Sequence, residues 1–303
     1  MITFFHYRTA PLLPALLIGI LLGACATGGN SRENPAQGST PGAFRPGGTN
    51  KTAGAALYSR NEMISLWEKA PPGLEVKIPA LEISLNLLDT KALAGGTGET
   101  ERELERLLRE TFYRGLSVQD YTEEQIRVQT MSYRDMGEEA RHNIEFINSE
   151  SLNWNYVESF KTQADRALLL IISRDRFSYS GGAHPNYDRT YFVFDREVGM
   201  RVSLSDIIRK GAEPTLKELI NQELRRHKKI GPGDSLKKAA FLVDEAEITE
   251  NFFFSPQGVS FHWDPYELAP YSEGYVETTI PYTVIREMLT PEGRRLAREF
   301  GGG

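Results

Sequence analysis

The side chains best able to do chemistry in this sequence are few: His6, His142, His184, His227, His262 and one cysteine, Cys25. A metal site needs three or four converging ligands. His184 could meet Asp175 or Asp188, but no pair here has a diagnostic spacing, so no metal and no other cofactor is expected. A single cysteine allows neither an internal disulfide nor a Cys-rich zinc site. The phosphate-loop, dinucleotide-binding, HExxH and GxSxG patterns are absent from the sequence. Gly258-Val259-Ser260-Phe261-His262 opens like the last of these but ends in His. It also lies in a strand pattern, whereas a nucleophile elbow needs a strand-to-helix turn. Ser260 and His262 therefore read as core, and no catalytic residue is assigned.

Cys25 has a context of its own. The apolar run from Leu12 to Leu22 is too short for a bilayer span of about 20 residues, but it suits the h-region of a secretory signal. Leu22-Gly23-Ala24-Cys25 resembles the lipobox of bacterial lipoproteins, which implies that residues 1–24 are a signal peptide and that Cys25 is lipidated. Ala26 in place of Asp then points to the outer membrane in a cell with two membranes. Loss of residues 1–24 removes Arg8 and no acid, so the net charge of −6 becomes one unit more negative. Residues 25–56 are rich in Gly, Pro, Ser, Thr and Asn with few large apolar residues. Such a stretch cannot offset its ordering entropy, and it reads as a tether reaching on the order of 30 Å.

The rest must fold and position the remaining candidates. Hydrophobic residues at 40% and charged residues at 25% suit a folded domain, and the acidic balance disfavours a nucleic-acid partner. Apolar periodicity starts at Leu57. Val76 and Ile78, then Leu81 to Leu87, alternate as strands interrupted near Pro79. Thr100-Glu101-Arg102-Glu103 and Thr122 to Gln125 have the capping-box pattern. The first predicts a helix through Phe112 with Gly115 as its stop. The second predicts a long helix to about Ile147 with Ile126, Met131, Met136 and Ile144 in the core. Acids such as Glu101, Glu103 and Glu105, interleaved with arginines, read as solvated helix faces.

Strands follow. Trp154, Tyr156 and Phe160 share one strand parity, interrupted by Glu158. Ala167 to Ser173 is a continuous apolar run of the kind buried on both faces, and Asp188 to Asp195 is the next strand. Glu213-Pro214 opens a helix with a Leu216, Leu219, Ile220, Leu224 stripe. Phe252–Phe254 and Val259–Trp263 flank Ser255–Gly258 as a hairpin with a four-residue loop. A strand at Tyr275 to Ile280 and a helix from Thr290-Pro291 complete the chain. The fold class is α+β, with a helix-containing N-terminal half and a mostly antiparallel sheet with one amphipathic helix in the C-terminal half.

Two stretches are too particular to be ordinary turns. One is Phe177-Ser178-Tyr179-Ser180-Gly181-Gly182-Ala183-His184-Pro185-Asn186, followed by Phe194-Asp195 and Leu204-Ser205-Asp206-Ile207. The other runs from Phe252 through Ser255-Pro256-Gln257-Gly258 to Pro265-Tyr266-Glu267-Leu268-Ala269-Pro270-Tyr271, then Gly274 and Ile280-Pro281-Tyr282. In this order and spacing they resemble the DUF3298 (RsiV-type) domain, here residues 176–303. Many members carry a preceding DUF4163 half, to which residues 57–175 are similar. The family includes lysozyme-binding extracytoplasmic domains of anti-sigma factors and the N-terminal part of the peptidoglycan deacetylase PdaC. The sequence shows neither a sigma-binding segment nor the deacetylase's catalytic residues, so neither activity carries over.

What the resemblance implies is a binding module on a lipid anchor. The expected partners are the membrane, through Cys25, and a lysozyme-like protein or peptidoglycan. The candidate binding residues are Gly181, Gly182, His184 and Pro185 in one loop and Pro265, Tyr266, Pro270 and Tyr271 in the other. Glycines permit a sharp loop beside another element, and exposed Tyr beside Pro gives contact area at low entropy cost. Three other readings stay open: the two loops pack on each other and close the sheet; His184 with a carboxylate serves a cell-wall glycan hydrolase or esterase; or the protein is a purely structural envelope lipoprotein.

Overall fold

The structure is a computed structural model that describes residues 57–69, 78–142 and 149–302. Cys25, the apolar run before it, the tether to Ala56, Val76 and Ile144 lie outside the described residues. A mixed sheet takes strands β1 to β6 in sequence order. They are β1 (Leu57–Ser65), β2 (Ala80–Leu88), β3 (Trp154–Asp165), β4 (Leu169–Tyr179), β5 (Asn186–Asp195) and β6 (Met200–Arg201). β2 and β3 run parallel, and the other neighbours are antiparallel. A parallel pair needs a long crossover, supplied by α1 (Thr90–Ala94), α2 (Glu99–Tyr113) and α3 (Val118–His142). A second sheet of β7 (Phe252–Ser255), β8 (Gly258–Trp263) and β9 (Val276–Pro281) is antiparallel throughout. Helices α4 (Leu204–Ile207), α5 (Glu213–Lys228), α6 (Tyr282–Ile285) and α7 (Pro291–Ala297) accompany it. The class is α+β, with two sheets where the sequence reading has one.

The central wall explains the layering. Leu170 and Ile172 of β4 enter one core with α2 and α3, through Leu104, Leu108, Phe112 and Tyr133. Leu169 and Ile171 enter the other with α5 and the second sheet, through Leu216, Ile220 and Phe261. A strand covered on both faces must be apolar at every position, which is why residues 169–172 form an unbroken run. The boundary expected between residues 175 and 176 falls within β4.

Several local expectations change. β2 begins one residue after Pro79, so the proline leads directly into that strand. Gly98 is the N-cap of α2, without a side-chain bond, and Thr100 is already helical. α2 ends at Tyr113, with Arg114 (φ 54°) and Gly115 (φ 80°) both left-handed. Ser117 caps α3 instead of Thr122, its Oγ accepting from the Asp120 N–H at 3.1 Å. Thr122, a turn further in, donates to the Val118 carbonyl at 2.7 Å. Met131 is 53% exposed, not core, because it lies on the face of α3 away from the sheet. The β7–β8 loop is Pro256-Gln257 alone, two residues shorter than expected, since Ser255 and Gly258 pair with each other.

Candidate functional site: an aromatic platform where two loops meet

The turn between β4 and β5 holds the first group of candidate residues. Gly181 has φ 84°, and a Cβ there would sit 2.8 Å from the Ser151 carbonyl oxygen, so this turn passes tightly against the chain before β3. Gly182 has φ 101° with open space beside it, and here backbone conformation alone calls for glycine. The Gly182 carbonyl accepts from the Tyr179 hydroxyl at 3.2 Å. His184 Nδ1 lies 3.0 Å from the Pro185 carbonyl, which can only accept. In the neutral ring Nδ1 thus carries the proton, and Nε2 accepts from the Tyr266 hydroxyl at 3.0 Å.

The connection from β8 to β9 supplies the second group. Pro265 leads into Tyr266, which has φ 73°, a left-handed conformation that costs a residue with a Cβ roughly 1–2 kcal/mol. A hydrogen bond from the Tyr266 N–H to the Ala269 carbonyl (2.9 Å) and the buried Leu268 and Ala269 beneath hold it there. Pro270 caps a short 3-10 turn that starts at Tyr271.

The two loops do pack on each other. His184 stacks on Tyr271 with centroids 3.9 Å apart and planes 20° apart, and Tyr187 meets Tyr271 at 5.3 Å. Tyr266 lies over the same group yet remains 54% exposed. The result is a platform of one imidazole and several phenol rings. Tyr187 and Tyr275, which the sequence reading passed over, join it edge to face at 5.1 Å. Their signal was there to read: each sits just outside a loop already singled out.

Beneath the platform lies a network built around His262, which is fully buried on β8. Its Nδ1 lies 2.8 Å from Glu277 and its Nε2 3.1 Å from Asp264, so the protonated ring donates to both carboxylates. Burial alone would push the imidazole down, but the two carboxylates outweigh it and raise its pKa. Hydrogen bonding and charge from His262 in turn hold Glu277 below the usual carboxylate range. Asp264 also accepts the Arg189 backbone N–H at 2.8 Å, which ties the root of the Tyr266 loop to β5. Arg189 pairs with the buried Asp175 at 2.5 Å and lies 5.0 Å over the Tyr275 ring. The Tyr275 hydroxyl is buried there without a partner.

Asp175 and Asp188, the carboxylates considered for His184, are engaged elsewhere: Asp175 with Lys161 and Arg189, Asp188 with Arg176. Ser260 bonds the Thr279 hydroxyl at 2.8 Å, and its strand setting is not that of a nucleophile elbow. Among the described residues no group of three or more His, Cys, Asp or Glu is placed to hold a metal ion.

The comparisons with known proteins bear on this same region. Residues 205–283 match the family described as protein of unknown function, DUF3298. The matched stretch contains the Tyr266 loop and His262, and the His184 turn lies ahead of it. A solved DUF3298 family member from Bacteroides fragilis is 22% identical with a TM-score of 0.64, over 82% of this chain and 99% of that one. A DUF3298 family protein from Pseudomonas aeruginosa is 17% identical with a TM-score of 0.50, over 78% and 94%. At these identities the likeness is one of fold, and it takes in the helical half as well as the matched stretch. No curated protein matches the sequence.

Proposed function

We propose that this protein is a lipid-anchored cell-envelope binding module. Its platform of His184, Tyr187, Tyr266 and Tyr271 takes a macromolecular partner, a lysozyme-like protein before peptidoglycan. The observation that carries the reading is Tyr266, a half-exposed tyrosine held in a left-handed backbone conformation by buried contacts beneath it. Backbone strain of this kind persists where the surroundings impose it and gathers at ligand contacts. Packing between the loops accounts for the ring stack but not for an exposed Tyr at a position that favours glycine. Tyrosine anchors with few torsions to freeze suit a protein interface. The acidic chain would also attract a basic partner. The anchor part of the reading rests on Cys25 and its lipobox, with the tether placing the domain just off the membrane surface. Residues 57–175 are the DUF4163-like half in this reading.

Calorimetric titration of the full chain with a c-type lysozyme tests it, with peptidoglycan fragments as the second ligand. Saturable binding should weaken at least tenfold in Tyr266→Ala and Tyr271→Ala while both variants melt as cooperatively as the parent. Absence of heat with either ligand at low and moderate salt would remove the partner reading and leave the loops as closure of the sheet.

A further inference from the structure

A recess lies between α3 and the ends of β3, β4 and β5. It consists of two adjoining cavities of about 300 and 290 Å³ that share Gln129, Tyr156 and Ser178 as lining residues. Each is at the lower end of the roughly 300–1,000 Å³ range of small-molecule sites. The first is lined further by Trp154 and Asn155, the second by Gln125 and Asn186. Trp154 packs against Tyr133 with centroids 5.3 Å apart, which fixes its ring. Tyr156 is fixed from behind, its hydroxyl 3.3 Å from Glu158, whose own pKa burial pushes up.

Two observations point to a ligand. Trp154 Nε1, a donor on the face of β3 that meets α3, is buried and without a partner. Orphaned polar atoms of this kind are uncommon in folded proteins and call for an explanation. The chemistry of the lining is the second observation. It combines aromatic rings with side-chain amides, each both donor and acceptor. Its charged members, Arg176 and Asp188, neutralise one another in an ion pair at 3.1 Å. No unpaired cation is offered to a phosphate. A peptide cannot add as a strand, because β3 and β4 are paired on both edges.

We infer that this recess binds a neutral oligosaccharide. A sugar ring offers C–H faces to Trp154 and Tyr156 and hydroxyl groups that both donate and accept, as Gln125, Gln129 and Asn186 do. An acetamido substituent would present its carbonyl to the Trp154 donor. None of the four platform residues His184, Tyr187, Tyr266 and Tyr271 lines the recess.

The test titrates the full chain with chitotetraose and with cellotetraose, by calorimetry and by the Trp154 indole N–H resonance. The expected result is saturable binding with a Kd at or below about 1 mM that moves this resonance. Trp154→Phe keeps an aromatic face and removes the donor, and Gln129→Ala removes an amide. Each should weaken binding about five- to twentyfold. Gln129→Ala decides alone if Trp154→Phe is unstable. Chitotetraose binding alone assigns the orphaned donor to an acetamido group, and binding of both sugars assigns it to a hydroxyl. No saturation with either sugar up to about 20 mM, or binding that survives both recess variants, overturns the inference.

Discussion

Tyr266 and His262 sit four residues apart and do different things. Tyr266 presents a ring to the outside from a backbone conformation that favours glycine. Replacing it by Ala or Gly removes the same phenol, so the difference between the two variants isolates the backbone. Tyr266→Gly should be more stable than Tyr266→Ala by about 1 kcal/mol, read from urea midpoints, and both should lose the partner. Equal midpoints would mean that the loop relaxes without strain. His262 acts through charge. Its pKa is raised above the ordinary 6.5, so its contribution to stability is full below that value and fades as pH rises through the raised one. Glu277, held below its ordinary 4.5, contributes above that value and loses its share as pH falls through the lowered one. Between the two ordinary values both contributions are full. Urea midpoints taken from about pH 6 to 9 should fall in the parent and stay nearly level in His262→Gln. That variant should also be weaker by roughly 1.5–3 kcal/mol at about pH 6. A level parent profile would contradict the buried imidazolium.

At the scale of elements, the second sheet positions the platform, and its tightest point is Gly258. A Cβ there would run into the Ile280 carbonyl, with the Pro281 backbone beside it. Gly258→Ala must therefore push β8 and β9 apart, at a cost of at least about 1–3 kcal/mol. A differential scanning profile matching the parent's would show that the hairpin yields easily. Elements whose local pattern agrees with their burial were readable in advance: β4, from its unbroken apolar run, and α5, from Glu213-Pro214 and its stripe. β1 gave only the onset of periodicity, because an edge strand half exposed along its length need not alternate cleanly. The start of α3 differs from the expected one. Ser117 and Thr122 both suit a cap by type, and only the chain geometry before the helix chooses between them.

Across the whole molecule, one wall of strands separates two cores. Both loops of the platform stood out in the sequence, but their meeting did not. The bond between Tyr266 and His184 spans 82 residues, and that from Arg189 to Asp264 spans 75, distances over which no local pattern speaks. The same holds for the recess, whose Gln129 and Trp154 come from a helix and a strand that a sequence reading treats separately. The overall negative charge should matter at this scale, steering a basic partner so that its association rate falls as salt rises. The most direct test of the central claim is a hydrogen-exchange footprint of the full chain with and without c-type lysozyme. The account expects new protection confined to residues 180–187 and 264–275. Protection elsewhere, or none at saturating partner, would contradict it.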